Sequence, residues 1–429
     1  MNLILMEKKQ NYYPWFIVVT CCLLQGCGIG IYFNCAGLFL APVAKTLGCG
    51  IGSLAIYMTL QAFGLALVMP IVGKWLPTKN VRVLISGSVV ICALMYVAMA
   101  FSTSLYHWYI FGTIMGFANA FVFFAPTPVI LSQWFAKKTG TVIGIATAFS
   151  GVGGAIFAQI GNYVIIHQGW QMGYIVLAVI SCVCILPFTM FILRFKPADI
   201  GLKPYGLEDT PSAKGGAPTG GTAEGVAAAD ALKSAAFVLA FLAAGFSSLS
   251  GSFYQHIKGY SLTLSGDAAT MGATFISACM IGNIAGKLSI GAVNDKAGGK
   301  TAIGYGLTVI FISILLMLFG SNSVAMMMVG TFLYGFTLAM ISVGMPLITK
   351  TIFGLKDFSK IYSYITMGTA IIGALGIPII GFIYDSFREY SAALVFVCIC
   401  SVISIILAFA AFAAGHKLKA RMAGRSISV

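Results

Sequence analysis

Long, uninterrupted apolar stretches constrain this chain more than any other feature. Read in windows of about 20 apolar residues, the length that crosses a hydrocarbon core, it yields twelve stretches. They begin near Trp15, Ile51, Val83, Tyr106, Gly140, Met172, Ala235, Ala268, Thr301, Val324, Ile361 and Ala392. In lipid every backbone N–H and C=O must be paired within the protein, so each stretch is expected to be a helix. A composition 59% hydrophobic and 8% charged, with a mean hydropathy of +0.97, lies far from that of soluble proteins. The expected fold class is an all-α integral membrane protein with twelve transmembrane helices.

The formal net charge of +14 suggests a polyanionic partner until its distribution is read. Of the 25 Lys and Arg, the termini and alternate loops hold 21, the opposite loops hold Lys45, Lys258 and Arg388, and Lys287 stands within a span. That bias puts both termini and the basic loops in the cytoplasm. The setting expected is a cytoplasmic (inner) membrane, with the lipid bilayer and no nucleic acid as partner. All 11 acidic residues lie in loops or at span ends, and the 11 Cys are scattered, mostly within spans. No disulfide, metal site, cofactor or catalytic group is expected, and the chain is read as a monomer.

Between Lys196 and Lys233 the hydrophobic pattern stops, giving way to charge and then to a Gly/Ala/Thr/Pro tract at Gly215 to Ala229, which reads as a flexible linker. This predicts a cytoplasmic tail at 1–13, a six-helix half at 14–195, a cytoplasmic linker at 196–233, a second half at 234–415 and a tail at 416–429. The halves echo each other at a separation of about 219 residues. Gly73 matches Gly291, and Gly161 to Trp170 matches Gly381 to Tyr390. Small-residue ridges at Ala146, Ser150, Gly154 and Ala158, and at Thr366, Ala370 and Ala374, are expected to let helix backbones approach closely.

The loop after the eighth span reads Gly291-Ala-Val-Asn-Asp295-Lys296-Ala-Gly298-Gly299-Lys300. It resembles the signature loop of the major facilitator superfamily, Gly-x-x-x-Asp-(Arg/Lys)-x-Gly-(Arg/Lys)-(Arg/Lys), departing only at Gly299. The resemblance implies the major facilitator fold, two pseudo-symmetric six-helix halves, with Gly291, Asp295, Lys296, Gly298 and Lys300 forming a cytoplasmic gate. The matching first-half loop, Gly73 to Arg82, lacks the Asp. A narrower set, Trp134-Phe135-Ala136-Lys137-Lys138-Thr139-Gly140, Gly144-Ile145-Ala146, Ser150 to Gly154, and Gly169-Trp170, is similar to the monocarboxylate transporters and their bacterial relatives, including the oxalate/formate antiporters.

In those relatives an Arg four residues before the signature Gly anchors the substrate carboxylate, and here that position is Lys287. The resemblance therefore implies a secondary active transporter for a small organic anion, by proton symport or anion exchange. A Lys keeps the charge but lacks the planar fork that grips a carboxylate bidentately. The alternative for Lys287 itself is snorkelling toward the cytoplasmic interface. The relatives' proton-coupling Lys and Asp fall at Asn34 and Asn283, which cannot ionise. Further candidates for the substrate cavity are Asn119, Tyr254 and His256, the last also a candidate proton carrier. Each of these polar groups has an interhelical hydrogen bond as its simpler explanation. An exporter of drugs or other amphipathic compounds is the competing reading, but a cation/proton exchanger needs an embedded carboxylate and none is evident. An intramembrane enzyme or a receptor is disfavoured by the lack of a catalytic constellation or of a folded extramembrane domain.

Overall fold

The computed structural model describes residues 2–122, 126–135, 139–206, 225–354 and 356–426. Among them the regular structure is helical, and eleven helices are long and apolar enough to cross a membrane. The first six spans become α1 (Tyr12–Leu47), α2 (Ile51–Trp75), α3 (Val81–Ala100), α4 (Leu105–Asn119) with α5 (Pro126–Trp134), α6 (Thr139–Gln168) and α7 (Trp170–Ile192). After the linker come α8 (Ala235–Leu262), α9 (Gly272–Asn294), α10 (Lys296–Phe319), α11 (Val324–Phe353), α12 (Phe358–Phe387) and α13 (Tyr390–Ser426).

The expected fourth span is thus two shorter helices. Among the described residues α4 ends at Asn119 in a turn through residues 120–122, and α5 is described from Pro126, so the prolines lie after the described break. The expected tract Gly215 to Ala229 lies outside the described residues up to 224. Beyond it Val226 N–H donates to the Phe353 carbonyl (2.8 Å), and on the other side of the gap Tyr205 N–H donates to the Trp134 carbonyl (2.8 Å). Trp134 and Phe353 are equivalent positions of the repeat, so each described linker end is held at the same place on its own half.

The chain forms two compact units, Met1–Cys49 with Leu60–Ala217, and Gly50–Thr59 with Pro218–Val429. Hydrophobicity does not draw helices together in lipid, where tails are as apolar as Leu, so close backbone packing must do so. In the first unit a Cβ on Gly116 would collide with the Gln61 carbonyl, and one on Gly153 with the Gly26 carbonyl. The second unit repeats the first of these crossings: a Cβ on Gly282 would strike the Phe332 carbonyl, and one on Gly335 the Cys279 carbonyl. The α6 ridge is buried as expected, with Ala146 and Ala158 fully enclosed. On α12 the expected ridge is corrected in part, since Thr366 and Ala370 are exposed while Ala374 is buried, and the packed face also holds Gly368, Gly373 and Gly376. Three glycines allow a closer approach than a Thr/Ala ridge does.

Each unit is also pinned by aromatic rings gathered at the matching turns. Trp170 packs with Trp108 and Tyr174, while Tyr390 packs with Phe253, Tyr260 and Tyr384 at centroid distances from 4.3 to 6.0 Å.

The first turns of α2 belong to the second unit through one carboxylate. Asp385 accepts from the N–H groups of Ile51 (3.0 Å) and Gly52 (2.8 Å), filling two of the donors that a helix start leaves open. Thr59 Oγ1 donates to the Ala374 carbonyl at 2.6 Å. Gly52 is required there, because a Cβ on it would come within 2.6 Å of the Phe382 nitrogen. Asp385→Ala should lower the unfolding free energy by about 1 kcal/mol, the ordinary value of a lost helix cap. Gly335→Leu should cost about 1–3 kcal/mol or more by overpacking the α9–α11 crossing. Thermal unfolding in detergent measures both, and midpoints equal to wild type would contradict this account.

Candidate functional site

The crossing of α9 over α11 determines which side chains of α9 face protein. Gly282 and Gly286 press against Phe332, Phe336 and Ala339, and Asn283 follows on the same face, 4% exposed. Its Oδ1 finds no hydrogen-bond partner among the described residues. A buried amide oxygen left unpaired costs on the order of 1–3 kcal/mol, so such an atom is informative.

Lys287 lies one helical turn on, where residues four apart are neighbours. It is half-buried, and among the described residues it has neither a hydrogen bond nor an ion pair. An ammonium inside a membrane helix is expensive and normally finds a partner. The two groups together present one cationic donor and one amide acceptor along a single stripe of α9, the chemistry that an anionic group bearing a hydroxyl or a proton would satisfy.

Tyr254 and His256 sit in a 3-10 turn, Ser252–His256, that interrupts α8. Both are buried. His256 Nε2 lies 2.9 Å from the Ile377 carbonyl and Nδ1 lies 3.5 Å from the Tyr390 hydroxyl. A carbonyl can only accept, so Nε2 carries the proton, leaving Nδ1 as the acceptor in the neutral ring. In the first unit Asn34 Nδ2 donates to the Ser150 carbonyl at 2.9 Å. Asn119 Oδ1 accepts from Cys92 Sγ (3.1 Å), while its Nδ2 has no partner among the described residues. Lys287, Asn283, Tyr254 and His256 thus belong to one unit, Asn34 and Asn119 to the other.

The signature loop is tighter than a loop. Helix runs from Gly291 through Lys296, and the bend falls at Gly298 in the first turn of α10, where φ is 81°. That left-handed value is accessible to glycine at no steric cost. The departure at Gly299 has a local cause, since a Cβ there would collide with Thr351 Oγ1. Lys300 lies 5.9 Å from the Phe409 ring centroid, a cation–π contact, and Lys296 is exposed. The side chain of Asp295 lies outside the described residues.

Two groups escaped the sequence reading. Lys258, expected in a loop, is buried near the end of α8 at 6% exposure, so Lys287 is not the sole charge within a span. The signal was available, because the apolar run continues through Tyr260 and Leu262. Gln25 is buried in a π-helical stretch of α1 and donates from Nε2 to Thr127 Oγ1 at 2.9 Å, holding the start of α5. Nothing in its neighbours' spacing marks that role.

A model of the Major Facilitator Superfamily matches residues 21–302 and 236–425. Monocarboxylate transporter 13 of Bos taurus is 24% identical over 403 residues, covering 91% of this chain and 87% of that protein. The MFS-type transporter pynF of Aspergillus niger is 31% identical over 200 residues, 42% of this chain and 43% of its own, so that match spans less than half of the fungal relative. Among solved structures, a bacterial homolog of the human lysosomal transporter Spinster, inward-facing and unoccupied, aligns with a TM-score of 0.68 at 14% identity over 95% of this chain and 97% of that one. The nucleoside transporter NupG gives 0.69 at 15% identity over 94% and 99%. These structural likenesses are of fold. The chain, a multi-pass membrane protein, belongs to the Major Facilitator Superfamily and is a transporter rather than an enzyme.

Proposed function

We propose that this transporter moves a small organic anion, in the first instance a monocarboxylate, with Lys287 as its cationic anchor. The observation that supports this reading is the half-buried ammonium of Lys287 without an ion pair among the described residues, one turn from the unpaired Asn283 Oδ1. A carboxylate would neutralise the charge, and a hydroxyl or carboxylic proton would satisfy the amide. The likeness to monocarboxylate transporter 13 along 91% of the chain agrees with it. Asn34, Asn119, Tyr254 and His256 would shape the rest of the path.

The unpaired charge also suggests a coupling rule. An empty site holds a net positive charge that resists desolvation, and an occupied one does not, so alternating access would proceed only when anion is bound. The signature loop, with Gly291, Asp295, Lys296, Gly298 and Lys300, would act as the cytoplasmic gate of that cycle. The driving force would be proton symport, with His256 as the titrating group, or anion exchange. The basic loops and both termini would face the cytoplasm, across an inner membrane.

Lys287→Gln should reduce carboxylate uptake into proteoliposomes by about a hundredfold or more, the scale of losing a desolvated charge pair. Lys287→Arg should retain transport with altered preference among carboxylates. Carboxylates that raise the wild-type melting temperature should leave the Gln variant unmoved. Wild-type uptake by the Gln variant at equal protein density would refute the assignment.

A further inference from the structure

We propose that the basic-loop face of the first unit binds an anionic phospholipid, with the head group in a cationic pocket and an acyl chain in the groove beside it. The pocket, about 420 Å³, lies between the turn joining α2 to α3 and the segment that ends α7. Lys79, Arg82, Arg194 and Lys196 line it, against the single carboxylate of Asp199. That carboxylate is turned to its own backbone, accepting from Lys196 N–H at 3.2 Å. None of the four cations has a carboxylate partner within ion-pair distance among the described residues.

Two of these cations are built into the wall rather than waving in solvent. Arg82 Nε donates to the Leu193 carbonyl (2.9 Å) and its Nη2 to the Phe191 carbonyl (3.1 Å), while Arg194 Nη1 donates to the Leu193 carbonyl (2.8 Å). The guanidinium groups are thereby fixed by the carbonyls that end α7, with further N–H donors remaining on each. Planar forks with spare donors suit phosphate oxygens.

The excess charge has an origin in the repeat. In the second half the signature loop carries Asp295, but its first-half counterpart is Pro77, which lines this pocket. Losing that carboxylate leaves the basic residues of the loop uncompensated.

Depth and shape favour a lipid over a free anion. A second cavity of about 440 Å³ shares Pro77, Phe195 and Lys196 with the pocket and continues along Val72, Leu76 and Val129. It offers apolar wall where an acyl chain would leave the glycerol. Trp15 and Trp75 are each 43% exposed. Interfacial Trp residues of this kind mark the head-group level of a bilayer, and each Lys or Arg there attracts anionic lipid.

The test uses full-length protein, purified in detergent, stripped of lipid and examined by native mass spectrometry. Three probes are added back: dioleoyl phosphatidylglycerol, dioleoyl phosphatidylcholine and glycerol 3-phosphate, a head group without tails. Wild type should retain phosphatidylglycerol, with at most a tenth of that occupancy for the other two. Lys79→Gln with Lys196→Gln, both at exposed positions, should weaken phosphatidylglycerol about tenfold or more. The matched pair Lys356→Gln with Lys417→Gln should leave it unchanged. Equal retention of phosphatidylcholine, equal binding of glycerol 3-phosphate, wild-type retention by the first pair, or equal loss in the second would each overturn the proposal.

Discussion

Backbone hydrogen bonding in a solvent that offers none underlies the rest of this structure. It forces the apolar stretches into helices, and it then removes the usual reason for helices to gather, because lipid solvates an apolar side chain as well as a neighbouring helix does. What remains is close contact. Gly282 against Phe332, Gly335 against Cys279 and Gly116 against Gln61 bring backbones to a distance that no side chain permits. Those crossings in turn decide which residues of α9 are enclosed, and therefore where Asn283 is held.

The same constraint makes polar groups within the spans meaningful. Most are settled locally: Thr369 and Thr331 donate to carbonyls one turn back, and Asn34 reaches Ser150. Among the groups not settled in this way are Asn119 Nδ2 and, one turn apart on α9, Asn283 Oδ1 and the Lys287 ammonium. His256 differs, since both ring nitrogens face partners on neighbouring elements.

The two repeats share their crossings and differ in their charges. In the register that pairs Gly73 with Gly291, Lys287 corresponds to Met69, an apolar position on α2. Pro77 likewise stands for Asp295. The glycine crossing at Gly116 recurs at Gly335, while the charged positions differ between the halves.

Hydropathy is a property of each residue and its near neighbours, so the sequence alone determined the helical class, the placement of the spans, the repeat and the signature loop, including the glycine that Gly298 requires. Lys287 and Asn283 were legible for the same reason, as polar residues within an apolar run at helical spacing. Tertiary structure decided the rest, because it depends on contacts between residues far apart in the chain. It ended α4 at Asn119 within the expected fourth span, turned Thr366 and Ala370 of the α12 ridge outward while Ala374 packs beside Gly368, Gly373 and Gly376, and drew Lys258 into the protein. It also set the Asp385 carboxylate on the start of α2. A helix pattern states which residues share a face; only packing states what that face meets.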